Sequence, residues 1–236
     1  MSAPPEPSSG APPVAARALS FDLDGTLYRV RRARVAWRLR RSRPLLDAML
    51  AAREQLRGEP PCAGLDALIL REAELVAPRL RWTVDEARQR LVELHAAMPY
   101  ALTRGARAFA GVAAALGAAA RAGLRLAVLS DYDAEAKLAD LGLAELPWAA
   151  VVGAENLGAL KPHRAGFVAV AARLEVPIEA LVHVGDREDL DVRGALEAGA
   201  RAWRFDPRGR GEPSRAERVF DRWTAATFEP LWAAHA

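Results

Sequence analysis

The chain has 236 residues, 51% of them hydrophobic, and a formal net charge of +3, which is enough apolar content for one domain with an insertion or for two small domains. Its one cysteine, Cys62, excludes an internal disulfide framework and a metal-thiolate site. No apolar run approaches the roughly 18 to 20 residues that span a bilayer as a helix, so no membrane partner is expected and a cytoplasmic location is.

In chain order, residues 1–17 are rich in Pro, Ala and Ser, lack the basic start and apolar stretch of a signal peptide, and read as a disordered tail. An apolar run over 18–23 then reads as a strand, and Asp22 and Asp24 stand at its end, directly before the turn residues Gly25 and Thr26. Two carboxylates therefore leave the sheet edge together. Carboxylates crowded there repel one another unless a cation or a proton compensates, and the carboxyl end of a strand is where open α/β sheets bind ligands. This is a candidate metal-dependent site.

The interval 29–99 shows no strand pattern and reads as helical throughout. Residues 31–56 hold one long helix or two broken at Pro44, and 65–77 and 84–98 read as two more, with Thr83 as an N-cap and Glu86 completing a capping box. Eight arginines and no acidic residue lie from Arg29 to Arg43; on a helix Arg34, Arg38 and Arg41 would share one face, with Val35, Leu39 and Leu46 on another. That face is either solvated or set to meet an anionic substrate.

From about residue 100 the pattern alternates. Strands are predicted at 124–129, 149–152, 181–184 and 201–205, and helices at 105–122, 134–141, 164–174 and 191–198, with Gly123, Gly142 and Gly199 just past helix ends. This alternation predicts an α/β fold, a doubly wound Rossmann-like parallel sheet, with an inserted all-helical block. The expected organisation is a catalytic core from 18–28 plus 100–206, the helical block at 29–99, and an extension at 207–236 that packs on the core or serves a partner. Three further polar groups follow apolar strands or turns: Ser130-Asp131, Lys161 before Pro162, and Gly185-Asp186 with Asp189 and Asp191 beyond. The chain has only two lysines, Lys137 and Lys161, against thirty-one arginines. Lys and Arg are not interchangeable at a tight anionic site, where a compact ammonium fits and a planar guanidinium does not. Cys62 and the histidines His95, His163, His183 and His235 show no ligand spacing and read as structural or exposed.

Asp22-Leu23-Asp24-Gly25-Thr26, Ser130, Lys161 and Gly185-Asp186 through Asp191, in that order, resemble the four signatures of the haloacid dehalogenase-like hydrolase superfamily. The resemblance implies that Asp22 is a nucleophile forming an aspartyl-phosphate, Asp24 the general acid and base, and Ser130, Asp131 and Lys161 the phosphate-binding groups. It implies a magnesium ion on the Asp22 side chain, the Asp24 backbone carbonyl and the Asp186 side chain, with Asp191, rather than Asp189, acting directly or through water. The helical block resembles a C1-type cap. Asp131 departs from the commoner Asn, and its side chain is expected to address a cap arginine or a cationic substrate group rather than phosphate.

The expected function is a magnesium-dependent phosphatase acting on a small phosphorylated metabolite. The alternatives are a phosphomutase of the β-phosphoglucomutase type and a non-catalytic binding protein of the same fold. An acid at position 24 sets the chain apart from the dehalogenase branch, and a 28–99 interval without lysine sets it apart from the phosphonate-cleaving branch, which needs a cap lysine. Nucleic acid is not an expected partner, and neither substrate identity nor oligomeric state is legible.

Overall fold

A computed structural model describes residues 14–233; the tail expected at 1–17 lies almost wholly outside the described residues, and His235 lies outside them too. Six strands form one parallel sheet: β1 (Ala18–Phe21), β2 (Arg125–Ser130), β3 (Trp148–Gly153), β4 (Leu181–Gly185), β5 (Arg201–Phe205) and β6 (Arg218–Phe220), in the order β3-β2-β1-β4-β5-β6. β1 pairs with β2 on one side and β4 on the other, so the strand order reverses there. Such a switch point opens a crevice at the carboxyl ends of the strands.

Both sheet faces are buried, as a parallel sheet requires. Leu19, Phe21, Leu126, Val128, Val182 and Val184 point to one face and pack on α5 (Val112–Arg121) and α6 (Glu135–Asp140). Ala18, Ala127, Leu129 and Leu181 point to the other, beneath α7 (Arg164–Arg173) and α8 (Arg193–Ala198).

Between β1 and β2 lie α1 (Arg32–Arg38), α2 (Arg43–Leu56), α3 (Leu65–Leu80) and α4 (Val84–Thr103), which surround an apolar cluster of their own. The chain breaks after α1, and α2 restarts with Pro44 in its first turn, where a missing N–H costs nothing. Arg41 therefore leaves the helix that holds Arg34 and Arg38. Thr83 accepts the Glu86 N–H at 3.1 Å and starts α4.

Two helix starts differ from expectation. The helix predicted over 105–122 begins only at Val112, because the preceding residues are tied to the first loop: Phe109 N–H donates to Leu27 O at 2.8 Å, and Ala108 bridges Tyr28. The segment after Phe205 packs on the core, one of the two roles expected for it: it adds β6 to the sheet and buries Trp223 and Phe228 against Phe21 and Phe205. Each such aromatic contributes about 2 to 3 kcal/mol by burial. The helix predicted to begin at residue 191 instead starts at Arg193, after a wide turn over Glu188–Val192.

Candidate active site

Phe21 stands level with Val128 and Val184, so the chain leaves β1, β2 and β4 at one height and delivers its polar residues to one place. β1 supplies Asp22 and Asp24, β2 ends in Ser130, β4 leads into Asp186 and Asp191, and Lys161 arrives from the loop after β3. Gly25, at φ +109°, lets the Asp186 carboxylate lie over the turn; a Cβ there would sit 2.4 Å from Asp186 Oδ2. Gly185 does the same for Asp191, whose Cγ would lie 2.2 Å from an added Cβ.

Asp22, Asp186 and Asp191 each present a carboxylate oxygen within 4.8 Å of the others. Lys161 Nζ donates to Asp22 Oδ1 and Asp191 Oδ1, both at 2.6 Å, which leaves its third proton free. Thr26 donates to Asp22 Oδ2 at 2.9 Å. Burial, reinforced by the surrounding carboxylates, pushes Asp22 well above the usual carboxylate range despite Lys161. Burial and then Asp191 raise Asp186 to about 7. Asp191 is opposite: burial would raise it, but Lys161 and His183 beside it hold it well below the usual range. Its second oxygen accepts the Arg187 N–H at 3.0 Å. Asp189, the competing carboxylate, lies on the surface and pairs with Arg187 at 2.6 Å.

The Asp24 side chain turns away from this cluster. Its Oδ1 accepts the Tyr28 hydroxyl, and its Oδ2 lies 2.5 Å from Lys137 Nζ. Ser130 Oγ accepts from Lys137 at 3.1 Å and from the Tyr132 N–H at 3.3 Å, so its own proton remains available to an acceptor. Asp131 turns to the helical insertion: Arg57, which caps the C-terminal end of α2, donates to its Oδ2 at 2.6 Å, while its Oδ1 accepts the Lys161 N–H at 2.9 Å. Arg57 also donates to the Lys161 carbonyl. Arg57 and Lys161 accordingly hold Asp131 below the usual carboxylate range against the opposing effect of burial.

A second contact between insertion and sheet is fully buried. Arg53 of α2 donates to Glu72 at 2.8 Å and to Glu155, beyond β3, at 2.5 Å, and stacks 4.3 Å above the Tyr132 ring. His95 of α4 lies 2.6 Å from Glu72 and 3.2 Å from Glu155.

The sequence alone gives no role to Lys137, Tyr28, Arg53 or Arg57, nor to their partners Glu72, Glu155 and Tyr132. The rarity of lysine was the available signal for Lys137. His183, read as structural or exposed, is buried, 2.8 Å from Ser20 Oγ and 3.4 Å from Asp191. The basic face is brought elsewhere. Arg38 donates to Ala101 O at 2.9 Å and Arg104 O at 2.6 Å, and Arg34 to Gly105 O, so both close the carbonyl end of α4.

A family model described as haloacid dehalogenase-like hydrolase matches residues 16–199. Among solved structures, the chain is similar to a 2-haloacid dehalogenase from Pseudomonas syringae pv. Tomato DC3000, with a TM-score of 0.65 and 26% identity over 94% of this chain and 100% of that one. It shares its fold with a HAD phosphatase from Thermococcus onnurineus, with a TM-score of 0.54 and 19% identity over 91% of this chain and 97% of that one. A 49-residue stretch is 49% identical to the glyceraldehyde 3-phosphate phosphatase of Methanopyrus kandleri, a match that spans only 21% of each chain. Among the described residues, no helix is long and apolar enough to cross a membrane.

Proposed function

The chain belongs to the haloacid dehalogenase-like hydrolase family, and we propose that within it this protein is a magnesium-dependent phosphatase of a small phosphorylated metabolite. The observation that carries the reading is Asp24: a second carboxyl, two residues beyond Asp22, anchored by Tyr28 and Lys137 apart from the Asp22–Asp186–Asp191 cluster. Attack on a carbon–halogen bond needs no acid at that place, because halide leaves without a proton. A phosphate ester does need one, since its leaving oxygen departs as an alcohol.

In this reading Asp22 attacks phosphorus to form an aspartyl-phosphate. Ser130 donates its hydroxyl proton and Lys161 its free proton to the phosphoryl oxygens. Asp24 gives a proton to the leaving oxygen and later takes one from water. The all-oxygen donor set of Asp22 and Asp186 suits magnesium, with the Asp24 carbonyl completing it and Asp191, both of whose oxygens already accept hydrogen bonds, reached through water. Bound there, the ion would neutralise charge on the transferred phosphoryl group. Arg57 and Arg53 join the helical insertion, acting as a cap, to the rim of the same site.

The dehalogenase reading is favoured by the 26% identity to the Pseudomonas syringae enzyme over 94% of this chain. One paired assay separates the two. Phosphate release from p-nitrophenyl phosphate and a panel of phosphorylated metabolites, with magnesium, is run beside halide release from 2-chloropropionate. Phosphate without halide supports the phosphatase. Halide without phosphate overturns it, and an isomerised sugar phosphate would instead identify a mutase.

A further inference from the structure

We infer that Lys137 and Tyr28 are positioning residues for the Asp24 carboxyl, and that Lys137 links this carboxyl to the Ser130 hydroxyl as one preorganised unit. The inference rests on the proposed role of Asp24 as the group that protonates the leaving oxygen.

Lys137 lies on α6, outside the four signatures, and is one of two lysines in a chain that otherwise uses arginine. Both lysines end on the site's carboxylates: Lys161 on Asp22 and Asp191, Lys137 on Asp24. Lys137 is wholly buried, and an ammonium withdrawn from water is costly unless fully partnered. Its partners are Asp24 at 2.5 Å, Ser130 at 3.1 Å and the Tyr132 ring, whose centroid lies 5.4 Å away. A guanidinium is larger and planar and would not place one nitrogen between a carboxylate and a hydroxyl in this space.

Tyr28 is also fully buried and takes the other Asp24 oxygen. Both oxygens are thus held by donors rooted in the core, while the Asp24 side chain itself keeps 20% of its surface exposed. A reactive carboxyl with an accessible edge and buried supports is the arrangement that fixes a proton donor in place. Misplacement of such a group by ~1 Å costs on the order of 100-fold in rate.

The chemistry served has two steps. An Asp22 oxygen bonds to phosphorus as the bond from phosphorus to the leaving oxygen breaks, and the Asp24 proton passes to that oxygen to release the alcohol. Water then attacks phosphorus, its proton passes to Asp24, and the Asp22–phosphorus bond breaks to give inorganic phosphate. The first transfer matters most when the leaving alcohol is weakly acidic.

The test compares p-nitrophenyl phosphate, whose leaving group needs little proton, with phenyl phosphate, whose leaving group needs more. Lys137→Met, Tyr28→Phe, Asp24→Asn and Lys137→Met/Asp24→Asn are each checked for folding by thermal melting and assayed for kcat/KM on both esters. Tyr28→Phe keeps the packing and carries the test if Lys137→Met does not fold. The expected result is a loss of roughly 10-fold or less on p-nitrophenyl phosphate and roughly 100-fold or more on phenyl phosphate for each single variant, within the range general acid catalysis contributes. The double variant should be no more selective than Asp24→Asn. Equal losses on both esters for Lys137→Met and Tyr28→Phe, beside a selective loss for Asp24→Asn, would overturn the inference alone. Equal losses for Asp24→Asn itself, or a wild type that hydrolyses neither ester, would overturn the function on which it rests.

Discussion

Arg57 and Asp131 meet across the seam between the helical insertion and the sheet, with Nη2 2.6 Å from Oδ2 and both side chains largely shielded from water. The same carboxylate holds the Lys161 N–H, so one residue ties the insertion to the segment that carries Lys161. Asp131→Asn keeps an acceptor for that N–H and removes the charge that faces Arg57. It should cost about 1 to 3 kcal/mol of stability in urea unfolding, with kcat within a few-fold of wild type. Arg57→Met leaves the carboxylate without its counter-ion and should destabilise by about 3 kcal/mol or more.

A pH-dependent term comes from His95, which faces Glu72 on α3, Arg53 on α2 and Glu155 beyond β3. Burial and Arg53 oppose its protonation, but hydrogen bonds to Glu155 and Glu72 prevail and raise it above the usual histidine value of 6.5. The folded protein therefore prefers the imidazolium. The stability this contributes is complete below the unfolded value and is lost as pH rises through the folded one. Glu155 runs the other way: against burial, His95 and Arg53 lower it below 4.5, so its contribution is complete above 4.5 and is lost as acid protonates it. Unfolding free energy should decline from slightly acidic to alkaline pH, and His95→Gln should flatten that decline and also weaken the acid limb, because His95 is one of the groups that lower Glu155.

Metal removal should be reversible. Excess chelator should stop phosphate release and magnesium restore it, because such ions sit in open, exchangeable oxygen sites. Magnesium should also raise the melting temperature of the wild type by mass action on the folded state. Asp186→Asn should abolish that rise. An equal rise in wild type and variant would show that Asp186 does not hold the ion.

The first five strands were legible because each is a largely apolar run closed by a turn, and the carboxylates were legible because they stand at the ends of such runs. The three-residue strand Arg218–Phe220 carries no comparable pattern; it exists because Trp223 and Phe228 bury the segment that follows it. Arg53 and Arg57 were hidden by composition: in a chain with thirty-one arginines, no local signal separates a buried cross-domain arginine from a solvated one. Lys137 was hidden differently. Its ammonium reaches Asp24, 113 positions earlier, through a sheet crossover that no local pattern encodes. The Arg29–Arg43 run misled because helical periodicity was extended through Leu39, where the chain breaks.

The central claim is that phosphorus becomes bonded to Asp22, and a quench experiment tests it directly. Wild-type enzyme turning over p-nitrophenyl phosphate with magnesium is stopped in acid within milliseconds and digested with pepsin without leaving acid, where an acyl phosphate survives. Peptides that carry Asp22 and Asp24 are then fragmented by mass spectrometry. The expected result is a phosphoryl group on Asp22 alone, absent from Asp22→Asn, together with a loss of turnover in that variant of several orders of magnitude, as when a nucleophile is removed. A phosphoryl group on another residue, or an Asp22→Asn enzyme that turns over at the wild-type rate, would contradict the account.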